Sequence, residues 1–473
     1  MPNIVDRFNI GGEEYHIEPV IDQTPEQGSP HAVASGAVWP YTNDRGDTPK
    51  DGSTGIFTRG GAYNFFGGIT DPDKWLTKVF AQQIMQYVTR VLTTSYAISN
   101  VAFHDDLGLF LAWGPKTFWS EDGVTWTEGT GFEATRYFEA YAVVRGNGVT
   151  VATTTNAYAY WSEDDKTWTA CTGIPSTATV KKVHFCGGMF FIIATGSGVA
   201  GIYWSEDGKT WTKDTGTISN YGQNVDVKYD TRSIEYHNGI WVVVSSGGKY
   251  WSTDGKAWSS GTGQTTWAMS ITYVDDLGLW IAGTTSCPQW STDGKAWTAG
   301  TYSGSSSPSL LCNIVKFSGK YIGYALGGGG ILGYSTDGKA WTGVDLRDTS
   351  GGSAVAYGWS NIYLTENAAY LGGADNNNRG TPLYVSYNGT SWSEKKDVSG
   401  NSLKATQLAT GMGMVVVAGA AGYTFNGATW YPISGLPTQW SVLIRNDKVI
   451  FGGSDGICVA SLQMLMNSGF FTT

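Results

Sequence analysis

The chain has 473 residues, with 65 glycines, 21 tryptophans and 26 tyrosines against only 15 % charged side chains, which suits an all-β repeat protein with many turns and a large core and leaves little for helix. Its formal charge of −10 argues against a nucleic-acid groove, which needs clustered Lys and Arg, and without an apolar run of spanning length no membrane insertion is expected. Residues 1–20 contain Asp, Arg and Glu and no apolar h-region, so no Sec-type signal peptide is expected. Cys171, Cys186, Cys287, Cys312 and Cys458 include no Cys-x-x-Cys pair and read as isolated core thiols of a chain made in a reducing cytoplasm. His16, His31, His104, His184 and His237 lack ligand spacing, so neither a metal nor a cofactor is expected.

The first 85 or so residues carry no repeat. Asp6–Ile17 predicts a small hairpin around Gly11-Gly12. Thr24–Val38 is small and polar, with too few large apolar residues for a core, and reads as a linker. Tyr41–Thr54 is an Asp/Gly/Pro-rich loop, and Gly60–Gly68 is an aromatic cluster between glycines suited to docking on a partner. Asp71-Pro72 predicts an N-cap with proline in the first turn, opening a short helix through about Tyr87. The expected divisions are an attachment segment (1–70), a helical connector (71–88), the repeat region (89–461) and a tail (462–473).

From residue 106 onward a turn followed by a short apolar run recurs, as in Asn147–Val151, Gly187–Ile192, Asn238–Val243 and Asp276–Ile281, each preceded by a further alternating strand. Between these runs comes a box: aromatic, Ser/Thr, any, Asp/Asn, Gly, any, any, Trp. Tyr203–Thr212 (Tyr-Trp-Ser-Glu-Asp-Gly-Lys-Thr-Trp-Thr) shows it best. Its acids are Asp122, Asp164, Asp207, Asp254, Asp293 and Asp337, with Asn388 and Asn426 in two worn copies. Asp-Gly is a strong hairpin signal: the carboxylate accepts backbone N–H groups two residues on, glycine takes positive φ, and the Ser hydroxyl bonds locally. The closing tryptophans seal each hairpin against its neighbours. Lysines on the box turns, such as Lys209 and Lys256, read as solvated. A period of about forty residues means one supersecondary unit per repeat, here four antiparallel strands. Such units predict a single β-propeller. Counting the apolar hairpins gives nine units, and the last, Asn446–Ser461, lacks one strand; Thr89–Tyr96, β-branched and alternating, is expected to complete it. Eight blades is the alternative.

Ser-x-Asp-Gly-x-x-Trp resembles the Asp-box, or BNR, repeat of sialidases and sortilin-type receptors, over about residues 90–461. The resemblance implies a propeller with the boxes on outer turns, away from the axis, so the box acids are expected to be structural. The leader resembles N-terminal attachment segments of tailed-bacteriophage appendage proteins (tail fibre, receptor-binding or head fibre), in a Gly-x-x-Tyr-x-Ile hairpin (Gly12, Tyr15, Ile17) followed by Thr24-Pro25-x-x-Gly28-Ser29 and Val33-x-Ser35-Gly36-x-Val38. That implies a virion location, anchoring to other virion proteins through residues 1–70, and a homo-oligomer.

Catalysis finds little in the sequence. The arginines are scattered and no Arg-Ile-Pro motif occurs, against sialidase activity; Gly327–Gly330 lacks the Lys-Ser/Thr of a phosphate loop. A glycoside hydrolase would need two carboxylates about 5 to 10 Å apart; the doublets Asp105-Asp106 and Asp275-Asp276 read as turn formers. Binding is the stronger expectation, and the polar or aromatic blade-joining loops carry the candidates: Asp375, Asn376, Asn377 and Arg379 in one, Tyr221, Trp267 and Trp359 in others. The expected function is a structural appendage whose propeller displays a face for a host-surface glycan or protein, with a glycoside hydrolase on host polysaccharide or a non-binding decoration protein as alternatives.

Overall fold

The structure, a computed structural model, describes residues 7–10, 13–19, 38–42 and 88–461, omitting within the last range 133–139, 155–157, 216–232, 246, 264–266, 305–310, 326–330, 347–357, 376–380, 412–413, 420, 425–426, 434–435, 437 and 446–447. The expected helix at 71–87, the aromatic cluster at 60–68 and the tail at 462–473 lie outside the described residues. In the leader, Arg7–Ile10 pairs antiparallel with Glu13–Pro19 around Gly11-Gly12, as expected. The linker and loop readings need one correction: Val38–Thr42 is a third strand on Glu13–Pro19. Val38, Trp39 and Tyr41 are strand formers, and the polar run before them masked that signal.

The repeat region forms nine sheets in a ring, an all-β nine-bladed propeller of four-stranded antiparallel blades. Blade 1 runs Asn100–His104, Leu109–Trp113, Thr117–Ser120 and Thr127–Glu128. Blade 3 runs Thr179–Cys186, Met189–Thr195, Gly201–Ser205 and Thr212–Lys213, and the others repeat the plan. Blade 9 takes three strands from Gln439–Ser461, and Thr89–Thr93 pairs with Gly456–Ser461 as its fourth. The ring is thus closed by hydrogen bonds between the two ends of the repeat region, with Arg90 and Asp455 ion-paired 2.8 Å apart across the seam. Eight blades is excluded.

Local sequence explains the strand reversals. The first and second strands of a blade are joined by two-residue turns such as Asn238-Gly239, where φ is 50° and 82°. Positive φ at both positions is the type I′ geometry whose twist matches the strands. Second strands are mostly apolar and buried on both faces, Leu109–Trp113 and Val149–Thr154 entirely buried even though the latter carries three threonines, because a radial sheet has a neighbour on either side. The core therefore lies between blades. Val149, Val151, Phe190, Ile192 and Trp211 join blades 2 and 3, and Ile450, Val459, Phe110 and Phe118 form the corresponding cluster across the seam of blades 9 and 1.

A second link between blades was not read from the sequence. The chain leaving a fourth strand crosses to the next box and bonds its backbone: Thr172 N–H donates to Lys209 O at 3.0 Å and Trp211 N–H to Thr172 O at 2.9 Å, with the same pattern at Thr130 and Thr262. Gly173 follows with φ 89°, and a Cβ there would lie 2.0 Å from the Trp211 carbonyl oxygen, so only glycine lets the chain turn away. At blade 6 the residue after Thr301 is Tyr302, and the chain runs on as Thr301–Gly304, a parallel fifth strand on Ala340–Asp345. With Thr381–Pro382 added to blade 8, two sheets exceed the expected four strands.

Candidate functional site

Four antiparallel strands place two hairpins at one end of each blade and the connecting loops at the other. One face of the ring thus carries the first-to-second hairpins and the boxes, and the opposite face carries the second-to-third loops and the blade-to-blade connections.

On the box face the acids are tied up by their own turns. Asp207 Oδ1 accepts the N–H groups of Lys209 at 2.8 Å and Thr210 at 2.9 Å and the Ser205 hydroxyl at 2.8 Å, while Gly208 N–H donates to Ser205 Oγ at 2.9 Å. Asp122, Asp164, Asp254, Asp293 and Asp337 repeat this. Asn388, which lacks the charge, makes the same contacts to Thr390 and Ser391. Asn426 lies outside the described residues; its neighbours Gly427 and Thr424 keep the Gly-to-hydroxyl bond at 3.0 Å. Burial raises the Asp122 carboxyl, but the N–H groups of Thr125 and Val124 and the Ser120 hydroxyl outweigh it and hold it at about 2. A carboxyl stabilised in its charged form is a poor proton donor.

The box lysines are not merely solvated. Lys209 Nζ sits 4.4 Å from the ring centroid of Trp161 in the preceding box, and Lys166, Lys256, Lys295 and Lys339 do the same over Trp119, Trp204, Trp251 and Trp290. In three boxes the lysine also meets the preceding box's glutamate, as Lys256 does Glu206 at 2.7 Å. The rim is a ladder of cation–π contacts running from box to box.

The second box breaks the glycine rule. Asp165 occupies the turn position at φ 58° and is 0 % exposed. Other box glycines there face the preceding blade's second strand, so Asp165 projects between blades 1 and 2. It meets His104 of blade 1 through Nδ1, and the Arg145 guanidinium lies 3.9 Å away.

The Asp doublets do more than form turns. Asp106 takes Arg145 of blade 2 in a two-bond pair, 2.8 and 2.9 Å from Nε, and Asp105 bonds Arg445 of blade 9. In blade 5, Asp276 bonds Lys316 of blade 6 and accepts the Tyr321 hydroxyl at 2.6 Å, while Asp275 faces His237 of blade 4 at 3.8 Å. The first doublet clamps both neighbouring blades, its first acid backward and its second forward, whereas in the second doublet only Asp276 makes such bonds. Between blades 5 and 6 the box face also opens a cleft of about 410 Å³ lined by Tyr273, Asp275, Asp276, Ile314, Lys316 and Tyr321 among others.

Those aperiodic binding candidates that lie among the described residues fall on the other face. Trp267 precedes the first strand of blade 5 and is 48 % exposed. Trp359 and Asp375 lie on the first two strands of blade 7 at the loop end, where Gly358 is the register partner of Asp375 and Ala374 that of Trp359. Asn376, Asn377 and Arg379 belong to the loop that follows and Tyr221 to the connection between blades 3 and 4; all four lie outside the described residues. Topology thus gives Trp267, Trp359 and Asp375 one face without placing them at one site. Tyr158, 50 % exposed before the third strand of blade 2, is a further aromatic on this face that the sequence reading missed. Only its place one residue ahead of a strand could have marked it. Among the described residues no group of His, Cys, Asp and Glu is arranged to hold a metal. The five cysteines form no disulfide and are buried or half-buried, and burial pushes the Cys312 thiol up to about 12.

No protein-family model and no curated protein matches the chain. Solved structures of similar shape include the computationally designed Ika8 protein (14 % identity, TM-score 0.45, 68 % of this chain and 96 % of that one). YCF48 bound to D1 peptide gives 13 %, 0.41, 79 % and 95 % by the same measures, and BamB from Moraxella catarrhalis gives 10 %, 0.44, 79 % and 98 %.

Proposed function

We propose that the chain is a structural appendage of a tailed-bacteriophage virion, anchored through residues 1–70 to tail or capsid proteins as a homo-oligomer, with the loop face of the ring turned toward a host-surface glycan or protein. The observation that carries this reading is the leader: a Gly-x-x-Tyr-x-Ile hairpin and a Thr-Pro-x-x-Gly-Ser linker ahead of a ring that is closed without them. The division of labour on the ring supports it. The box acids are engaged by their own backbone, whereas the loop face presents the exposed aromatics Trp267 and Tyr158, which belong to no repeated motif, and function on a repeat scaffold sits where the repeat is broken.

Deletion of residues 1–70 tests the anchoring. The shortened chain keeps its closing strand and is expected to fold as a soluble ring that no longer incorporates into particles; undiminished incorporation contradicts the reading.

A further inference from the structure

The joint between blades 6 and 7 lacks two parts that the ring supplies elsewhere. One is the lysine cap. Boxes 2 to 6, numbered by blade, each lay a lysine over the aromatic of the box before, with Nζ 4.1 to 4.5 Å from the ring centroid. The next aromatic in the series is Tyr334, half-buried against the cluster that blades 6 and 7 share. The residue in position to cover it is Thr390, and among the described residues no cation lies over the Tyr334 ring.

The other is the crossing strand. Where the chain crosses to the next box, the residue four after the closing tryptophan makes the contact: Thr130, Thr172, Thr262 and Thr301. In blade 6 that residue is Asp345, which stays in its own sheet opposite Ile331. The Thr390 carbonyl and the Trp392 N–H correspond to the Lys209 carbonyl and Trp211 N–H that hold Thr172, and among the described residues neither meets a backbone partner. Trp392 is accordingly only half-buried, whereas Trp168, Trp211, Trp297 and Trp341, each beside a crossing strand, are 4 % exposed or less.

We propose that this joint is a docking site for an extended, lysine-bearing segment of a partner protein. One residue of the segment accepts from the Trp392 N–H and donates to the Thr390 carbonyl, as Thr172 does at box 3, and a neighbouring lysine covers Tyr334. The partner completes from outside a joint that other blades complete from within. The ring itself shows the chemistry of the guest, since an extended main chain and an ammonium fill these two places at boxes 2, 3, 5 and 6. No glutamate is needed beside the aromatic: Lys295 and Lys339 cap boxes that carry Thr253 and Thr292 in the glutamate position, as box 6 carries Thr336. The formal charge of −10 favours a basic guest over an acidic one. The site is on the outer rim, away from the loop face, and does not depend on the chain being carried on a virion.

The full chain is panned against a displayed library of random dodecapeptides, with Thr390→Lys, which installs the residue five other boxes carry there, as the counter-selection. Peptides retained by the parent and not by the variant are expected to share a lysine flanked by residues suited to extended chain. A synthetic copy of the leading peptide should bind the parent in fluorescence anisotropy. Exchanging its lysine for norleucine, or Tyr334→Leu in the protein, should weaken binding about tenfold, the scale of a desolvated cation–π contact. Thr390→Lys should weaken it at least as much and raise the unfolding midpoint. Should Tyr334→Leu fail to fold, Thr390→Lys decides. No peptide retained over the counter-selection, retained peptides without a basic residue, or binding indifferent to Thr390→Lys overturns the proposal. So does a dimer of the parent that Thr390→Lys dissolves, which would make the occupant a second copy of this chain. Particle incorporation is a separate readout, so either proposal can fail alone.

Discussion

The two faces of the ring are made by the same strands under opposite rules. On the box face the turns repeat: the acid receives two backbone N–H groups and a hydroxyl, in five boxes a lysine lies over the preceding tryptophan, and six closing tryptophans are buried. On the loop face the connections vary in length: residues 216–232 separate blades 3 and 4, whereas Gly114 N–H already bonds Lys116 O in the tight blade 1 loop. The contrast teaches that recurrence here marks assembly. A side chain that must appear in every blade serves the joint between blades, and one that appears once is free to meet something else.

The most damaging change should be to the seam. Removing residues 1–94, closing strand included, exposes Gly456–Ser461 as a long apolar sheet edge; the expected result is aggregation or loss of cooperative unfolding, against a soluble ring when only 1–70 are removed. Next comes Asp165→Ala, which strips the joint of blades 1 and 2 of the buried acid that His104 meets and keeps the positive φ. It should cost about 3 kcal/mol in denaturant unfolding, the scale for breaking a buried pair, and Asp165→Asn, better suited to that φ, should cost less.

Smaller is the loss at a single box. Asp254→Ala frees the N–H groups of Lys256 and Ala257 and should cost about 1 kcal/mol. The pH dependence follows from the same bonds. Because the folded Asp122 carboxyl lies at about 2, below its ordinary 3.8, its contribution is complete above the ordinary value and fades as pH falls toward the folded one. Asp164, Asp207, Asp254, Asp293 and Asp337 are displaced in the same direction, so urea midpoints should fall cumulatively on acidification from about pH 4 toward about pH 2. An Asp254→Asn variant should flatten that slope slightly, as Asn388 already does the job without charge. The least effect is expected at the rim ladder, where Lys256→Met removes a partly exposed cation–π contact of about 0.5 kcal/mol.

Much of the fold was legible because it is written nine times. The Asp-Gly turns, the two-residue hairpins and even the displaced strand at Thr89–Thr93 follow from local chemistry plus a count. Contacts between blades were not legible. Thr172 and Gly173 look like any turn until Trp211 of the next box is placed beside them, and Asp105 and Asp106 read as turn formers because their partners are distant in sequence or belong to another blade. Asp165 shows as a broken box in the sequence, but only the packing shows that the vacated glycine position points into a polar joint. The binding candidates rest on irregularity alone, which picks out positions and names no ligand.

The separation of roles is tested most directly by measuring stability and host-cell binding side by side for Asp254→Ala on the box face and Trp267→Ala on the loop face. The account predicts a lowered unfolding midpoint with unchanged binding for the first, and unchanged stability with weakened binding for the second. Binding lost at Asp254 in a chain as stable as the parent would contradict it.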